Sequence, residues 1–493
     1  LKGIRPFFRK EKIMNKQQKS FIVAIVLGLC IYFFVPTTNG LTQSGVALLS
    51  VFIPTIYLWL TCGTGWTSLL SVTMVVLLGA YQGVPAYMTL WGNICAAAVI
   101  PFLMVATVLE ESGAFEWIVK WIVSRKFIHG RPTLFLVMII LSMVVISIFT
   151  APQVVVVLFF DLLSEVTTTI GYTKEDSFYK SHGLVIGWIS QICDGVLIWG
   201  RPYLLTMVAV VAGLGFTNFT IMTYFKFAFF YLLIAILVIM LIVKFWLRPD
   251  VSKFANYDDE KIRRDLKENP ISKRGKIAIL GMLVILLSYI LSSLEFLGPV
   301  QAYFSSITIA GSVTFVCALL CVITVEGKPV LDLNKAASKV PWAMVFFLGA
   351  IMFYASAVGD DMYGISLCMQ NVLSPVVSHL PSAVAILIGL IFACVATNFC
   401  SNSVSGVVVC SSFIPALMSI SNVQPSQVIA FGCGVIAICS TAVCTVSACP
   451  TMGIVYSDIG IPYKGTTKYS VGLCVCMVIC TACILIPIFT RIF

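Results

Sequence analysis

The chain has 493 residues, of which 59% are hydrophobic and only 11% are charged, with a mean hydropathy of +1.02 and a formal net charge of +10. Soluble globular proteins carry about 25% charged residues. This composition therefore excludes a soluble domain of ordinary size and indicates an all-α protein that crosses a membrane many times. The basic residues form no patch interleaved with aromatic residues, so membrane lipid is an expected partner and nucleic acid is not.

The predicted elements begin with a basic N-terminal segment at 1–19, of which the part before Met14 is expected to be an addition to the native start. A first transmembrane helix is predicted at 20–36. The rest of the chain divides into a first half, a charged linker and a second half, at 44–247, 248–274 and 275–493. Apolar segments long enough to cross a bilayer follow one another at 20–36, 44–61, 65–80, 87–109, 180–212, 222–247, 275–294, 301–325, 341–358, 424–456 and 467–491.

Two further apolar stretches, 132–164 and 382–420, are too long for one crossing and short for two. Each has polar or helix-breaking residues in its middle, at 150–153 and 401–403. We expect each to form a re-entrant helical hairpin whose tip is buried in protein or faces a watery cavity. The alternative is two ordinary short helices joined by a loop.

Lysine and arginine residues predict the orientation of the chain, because they concentrate in cytoplasmic loops. With the N-terminus in the cytoplasm, one set of loops carries the basic residues and the other set carries none. Eleven transmembrane helices plus the two hairpins then place the C-terminus outside, in a cell (inner or plasma) membrane. The basic residues of the predicted inner loops are Lys120, Arg125, Lys126, Arg131, nine between Arg248 and Lys276, Lys328, Lys335, Lys339, Lys464 and Lys468.

The two halves also share an order of elements, with counterparts about 250 residues apart. Each half contains one of the unusual hairpins, followed by a long helix with a proline inside it, at 180–212 and 424–456. An odd number of crossings between the copies would make the second copy inverted. Inverted repeats with broken helices are typical of secondary transporters. We therefore expect scaffold helices that lead each half and a transport domain built from the hairpins and broken helices.

Six polar residues cluster in the second hairpin. Hydroxyl and amide groups removed from water cost free energy unless they find partners. A helix end at mid-depth exposes carbonyl groups that can hold a cation such as Na⁺ and N–H groups that can hold an anion. The cluster therefore predicts an ion and substrate site, although capping of broken helices is the alternative. Its members are Thr397, Asn398, Ser401, Asn402, Ser403 and Ser405.

The stretch TNFCSNSVSGVVVCSSFIPAL resembles the second Ser-Asn-Thr hairpin of the divalent anion/sodium symporter family, with Ser403 in place of the threonine. ESGAFEWIVKWIVSR resembles that family's amphipathic segment, and VSACPTMGIVYSDIGI its second broken-helix motif. The resemblance extends from about residue 40 to the C-terminus. It implies transport of di- or tricarboxylates or sulfate, a homodimer, and an elevator-type movement of the transport domain.

The first hairpin departs from the resembled pattern. The family would have a second Ser-Asn-Thr preceded by an earlier serine, whereas this chain reads SIFTAPQVVVV. Ser147 can match the earlier serine, and Ala151 or Pro152 replaces the asparagine. Because proline has no backbone N–H, one of the two cation and carboxylate sites that the resemblance implies is expected to be altered.

Arg201 lies in the first broken helix, in the sequence Gly-Arg-Pro. An arginine inside a spanning segment is rare and usually marks a pathway or a buried partner, and its planar fork suits a carboxylate. Asp194 lies about two helical turns earlier and can reach the same face. Arg201 could bind the anion, pair with Asp194 to hold the break, or extend to the surface.

The predicted site contains no catalytic residue and no metal or cofactor other than Na⁺. The predicted cation ligands are Thr397, Ser401, Asn402 and Ala448, and Asp194 is predicted to support the arginine. The residues predicted to bind the substrate are Thr150, Gln153, Gly200, Arg201, Ser401, Asn402, Ser403, Cys449, Pro450 and Thr451.

The predicted function is secondary active transport of small organic anions of the di- or tricarboxylate type. A fixed charge at Arg201 would favour an exchanger with reduced or no Na⁺ dependence. The alternatives are a Na⁺-coupled dicarboxylate or sulfate symporter and a cation/proton antiporter, which would need acids at mid-depth in both halves. No enzyme is expected, because the three histidines form no catalytic or metal-binding group. Glu110 and Glu111 are expected at a solvated helix end.

Overall fold

The computed structural model describes residues 15–493 except 93, 126–127, 129, 197–201, 217–218, 257–259, 294–296, 366, 369–370, 373–379, 400, 421–422 and 447. Helices dominate this part of the chain, beside one antiparallel strand pair at Thr324–Val325 and Lys328–Pro329. The helices are α1 (Lys16–Phe34), α2 (Gln43–Cys62), α3 (Gly65–Leu77), α4 (Gly83–Gly92), α5 (Ile94–Glu111), α6 (Ala114–Val123), α7 (Pro132–Ser147), α8 (Pro152–Ile170), α9 (Ser177–Val196), α10 (Pro202–Gly213), α11 (Ile221–Ile242), α12 (Glu260–Glu268), α13 (Lys273–Ser293), α14 (Pro299–Val322), α15 (Leu333–Ser338), α16 (Trp342–Gly359), α17 (Ser382–Phe399), α18 (Asn402–Met418), α19 (Pro425–Cys439), α20 (Pro450–Gly453), α21 (Tyr463–Cys480) and α22 (Ile486–Thr490).

Among the described residues, eight helical stretches are long and apolar enough to cross a membrane. They are Gln17–Phe34, Gly83–Glu111, Pro152–Ile170, Ile221–Leu247, Lys273–Ser292, Pro299–Val322, Ser382–Phe399 and Tyr463–Thr490. Shorter apolar helices accompany them. The expectation of an all-α protein that crosses the membrane several times is confirmed, whereas the count of eleven crossings and the inverted repeats stay predictions.

Both unusual stretches are pairs of helices interrupted at the polar residues. α7 and α8 are separated at 148–151, and α17 and α18 at 400–401. Pro152 is the first residue of α8, a position where its missing N–H costs no intrahelical bond and where it prevents a continuous helix. α8 runs to Ile170, beyond the predicted end of the hairpin. Because α8 and α17 each have spanning length, re-entry into the membrane stays a prediction.

Two buried helices, α9 and α19, lie in the centre of the core and lead to the broken segments. Nearly all of their side chains are buried. After α9 the helix resumes at Pro202 as α10, with Gly200 and Arg201 outside the described residues. After α19 the break is wider than one proline requires, because the next helix, α20, begins at Pro450. The described residues of 440–449, a range here called the second interruption, therefore run without α-helix.

Asn398 holds the second interruption in place. Its side-chain Nδ2 donates to the carbonyl oxygens of Cys394 at 2.8 Å and Thr441 at 3.4 Å, and its Oδ1 accepts from the backbone N–H of Cys444 at 2.8 Å. Thr445 donates through its hydroxyl to the Asn398 carbonyl. Side-chain bonds thus replace the helical bonds that the interruption lacks.

The charged linker contains α12, which lies against the amphipathic helix α6. Lys120 of α6 pairs with Asp265 of α12 at 2.7 Å and with Glu116 at 2.8 Å. The Nε of Arg263 donates to the Ser124 carbonyl at 2.9 Å. The linker predicted at 248–274 is therefore partly helical and docked rather than freely extended.

Candidate functional site

A cavity of about 1020 Å³ lies where the broken elements of both halves meet. Its wall combines the tip between α7 and α8, the start of α18, the second interruption, the buried face of α9 and one side of α5. Residues between α15 and the middle of α16 complete it. The lining residues are Trp59, Thr64, Phe102, Leu103, Ala106, Thr107, Glu110, Ile148, Phe149, Thr150, Ala151, Pro152, Gln153, Val154, Gln191, Asp194, Tyr203, Lys339, Pro341, Met344, Phe347, Phe399, Ser401, Asn402, Ser403, Val446, Ala448, Cys449, Pro450 and Gly453.

Two helix N-termini open into this cavity. α8 begins there with Ala151 as its N-cap, and α18 begins there with Ser401 as its N-cap. Neither cap makes a side-chain hydrogen bond to the first turn. The first backbone N–H groups of a helix have no intrahelical partner and carry a partial positive charge. The cavity therefore presents two positive helix ends to a ligand.

The two N-caps also fix the register that the sequence leaves open. Counting from the caps, Ala151 corresponds to Ser401, Pro152 to Asn402 and Gln153 to Ser403. Four residues before the caps stand Ser147 and Thr397. When the two helix pairs are aligned at their N-caps, Pro152 rather than Ala151 corresponds to Asn402.

The structure brings most of the predicted substrate-binding residues together. Thr150, Gln153, Ser401, Asn402, Ser403, Cys449 and Pro450 all line the cavity, and so does Asp194. Thr451 is fully buried beside it and is not among the described lining residues. Gly200 and Arg201 lie outside the described residues.

Two of the four predicted cation ligands, Thr397 and Asn402, belong to one group of oxygen atoms beside the cavity. The Thr397 hydroxyl lies 2.9 Å from Asn402 Oδ1 and 2.7 Å from the Cys439 carbonyl oxygen, and its single hydrogen can be donated to either acceptor. Thr397 itself is fully buried, whereas Ser401, Asn402 and Ala448 line the cavity. These hydrogen bonds join α17, α18 and the end of α19 around one polar point.

Glu110 is exposed in the last turn of α5, as expected, but the cavity lies beside this helix end. It lines the cavity, and its carboxylate accepts a hydrogen bond from the Thr150 hydroxyl at the tip between α7 and α8. The sequence signal for this role was weak, because an acid at a helix C-terminus usually indicates only an exposed end. The contact depends on how α5 packs against the tip.

Glu111 is held by three cations instead of facing solvent. It pairs with Arg274 at 3.0 Å, Lys335 at 3.0 Å and Lys339 at 2.6 Å. Lys339 also lines the cavity and was not predicted as a site residue. The charged residues among the described lining residues are therefore Glu110, Asp194 and Lys339, with the lysine fixed in place by Glu111.

Comparison with known families decides the class of protein. The family model described as "Citrate transporter" matches residues 48–405, well over half of the chain. The chain belongs to the citrate transporter family. The matched region includes α7, α8 and α17 and ends within the first turn of α18, whose start lines the cavity. No curated protein matches the chain.

The family membership supports the expected class of activity and, of the expected family, only its superfamily. This member of the citrate transporter family is a multi-pass membrane protein and a secondary transporter of the citrate or carboxylate type. The divalent anion/sodium symporter family, which belongs to the same superfamily, is not itself shown by the match.

Proposed function

We propose that this protein carries a citrate-type polycarboxylate and binds it in the cavity between the N-termini of α8 and α18. The observation that supports the proposal most directly is that these two helix ends, about 250 residues apart in the chain, open into one cavity. Anions bind favourably at helix N-termini, where N–H groups and the helix dipole act together. Two such ends suit a ligand with several carboxylates better than a ligand with one.

Polar side chains on the cavity wall would hold the remaining carboxylate oxygens. Ser401, Ser403 and Gln153 present hydroxyl and amide donors at the two helix ends, and Lys339 supplies a positive charge. Arg201 is proposed as a further carboxylate ligand next to Asp194, since it follows α9, whose residues line the cavity. In this proposal no single residue neutralises the substrate; helix ends and cations share that task.

A Na⁺-coupled mechanism is the second candidate. The oxygen group of Thr397, Asn402 and Cys439 favours it, because Na⁺ binds to oxygen ligands of this kind at helix breaks. The hydroxyl of Ser405, one turn further along α18, is buried and has no hydrogen-bond partner in the described part of the chain. In the first helix pair, Pro152 stands where the asparagine would be, so we expect at most one Na⁺ site in the protein. A single Na⁺ site would suit an exchanger or a carrier with reduced Na⁺ dependence.

The repeat architecture, the dimer, the orientation in the membrane and the elevator-type movement are also proposals. The inverted repeats, the homodimer and the elevator-type movement follow from the resemblance to the symporter family, and the cytoplasmic N-terminus and external C-terminus follow from the distribution of basic residues. The division into a scaffold and a transport domain is supported by the convergence of both broken segments on one cavity.

Uptake of radiolabelled citrate into proteoliposomes tests the proposal. We expect citrate uptake that unlabelled succinate or malate inhibits and that sulfate inhibits less. Loading the vesicles with citrate should accelerate uptake if the protein exchanges anions, and replacing Na⁺ by choline should leave most of it. Strict Na⁺ dependence would select the symporter, and a protein that neither binds nor carries any of these anions would contradict the proposed function.

A further inference from the structure

The contact between Glu110 and Thr150 joins two separate parts of the cavity wall. Glu110 lies in the last turn of α5, which packs against α13, α14, α15 and α16. Thr150 lies at the tip between α7 and α8, next to the N-cap of α8. Both residues line the cavity, and the Thr150 hydroxyl donates to the Glu110 carboxylate. The protein thus places one of its own carboxylates beside a helix N-terminus that suits an anion.

The position of Glu110 is unfavourable on electrostatic grounds. The C-terminus of a helix carries a partial negative charge, which disfavours an acid in the last turn. Its neighbour Glu111 is compensated by three cations. Thr150 supplies Glu110 with a neutral donor at the α7–α8 tip. Because Glu110 is an exposed residue, its carboxylate can leave Thr150 for water without becoming a buried unpaired charge.

The hydroxyl of Thr150 has one hydrogen to donate. In this structure that hydrogen is directed at Glu110, whereas a carboxylate bound at the α8 N-terminus would need the same donor. We propose that Glu110 competes with the substrate for Thr150, so that the anion must displace an internal carboxylate before it is fully bound. This inference rests on the proposed function, because it assumes a carboxylate substrate.

Competition of this kind determines specificity. Displacing Glu110 costs free energy that a ligand regains only through its other contacts, at Ser401, Ser403 and Lys339. A polycarboxylate can make these contacts at the same time as it takes the Thr150 hydroxyl. A monocarboxylate cannot, and is therefore held too weakly to be carried. Glu110 also lowers the affinity for the true substrate, which speeds its release.

Binding of radiolabelled citrate to the purified full-length protein tests the proposal with the variant Glu110→Gln. The amide oxygen of glutamine accepts the Thr150 hydrogen less strongly than a carboxylate does, so citrate should bind about tenfold more tightly, which equals about 1.4 kcal/mol. The KM for citrate uptake should fall with it, and kcat should fall as well because release slows. A merely structural role predicts the opposite, a less stable protein with equal or weaker citrate binding.

A double-mutant cycle with Thr150→Val separates direct competition from general repulsion. The gain from Glu110→Gln should largely disappear when Thr150 is valine, because there is no donor left to compete for. An equal gain in both backgrounds would show that Glu110 acts only through its charge and would overturn the proposal. Glu116→Gln is the matched control, since it removes the same charge from an exposed side chain on α6, and it should leave binding unchanged.

Different results refute the proposed function and the competition by Glu110. If the wild-type protein binds citrate but Glu110→Gln binds it no more tightly, the competition is refuted and the proposed function stands. If neither protein binds citrate or any related carboxylate, the proposed function is refuted and the competition with it.

Discussion

The buried side chain of Asn398 supplies hydrogen bonds to backbone groups that would be paired within a continuous helix. Its amide joins α17 to the second interruption through the carbonyls of Cys394 and Thr441 and the N–H of Cys444. The side chain is only 4% exposed, so none of these groups could turn to water instead. An unsatisfied buried polar group costs about 1–3 kcal/mol.

We therefore expect Asn398→Ala to lower the free energy of unfolding by about 2–3 kcal/mol, because it leaves the Cys444 N–H and a Thr441 carbonyl bond unmade. Thermal unfolding of the purified protein in detergent measures the effect. Asn371→Ala is the control, since Asn371 is exposed and makes a 2.9 Å bond to the Asn39 carbonyl; its effect should stay within about 0.5 kcal/mol. Equal melting temperatures for both variants would refute the role of Asn398.

At the scale of elements, α9 and the second interruption approach each other more closely than side chains normally allow. A Cβ atom added to Gly195, near the end of α9, would lie 2.2 Å from the Cβ of Ser440. The absence of a side chain at Gly195 is what permits the contact. Two elements that line the cavity from different halves of the chain are thereby held together.

Gly195→Ala should separate these two elements and so reduce citrate uptake severely. Overpacking of this kind costs about 1–3 kcal/mol, so the melting temperature should fall as well. Gly92→Ala on α4 provides the comparison, because a Cβ there has no heavy atom within 4 Å. Normal uptake by Gly195→Ala would mean that the close approach is not needed for the transport cycle.

The sequence predicts the interruptions better than it predicts the complete site. Pro152 and the Ser401–Asn402 pair break helices through their own chemistry, so the tips and the residues beside them could be placed without the structure. Glu110 and Lys339 could not, because neither lies beside a predicted break. They reach the cavity only through the tertiary packing of α5 and of the segment before α16.

In the whole molecule, an ion pair between Lys120 and Asp265 holds the linker between the two halves against the first half. The hydrogen bond from Lys120 lowers the pKa of the Asp265 carboxyl below its usual value, and this contact lies in the charged linker. A carboxyl whose pKa is lowered by folding stabilises the folded form above its ordinary pKa of about 4. That contribution is lost as the pH falls through the lowered pKa.

Hydrogen exchange of the α12 amides, corrected for intrinsic rates, should therefore stay constant between pH 7 and pH 5 and increase below about pH 4. Asp265→Asn should already show the faster exchange at pH 7. Glu268→Gln removes a highly exposed partner of Arg264 and should change little, since exposed pairs contribute about 0–1 kcal/mol. If Asp265→Asn and Glu268→Gln have the same small effect, the Lys120 contact does not hold α12.

Three tyrosine hydroxyls form hydrogen bonds between the elements near the cavity. Tyr203 donates to the Ile436 carbonyl, Tyr224 to the Gly195 carbonyl, and Tyr231 is bonded to Thr441. All three side chains are buried. Neutral bonds of this kind are not weakened by dissolved ions, unlike pairs of exposed charges. These three contacts should therefore keep the same strength in concentrated salt and in dilute buffer.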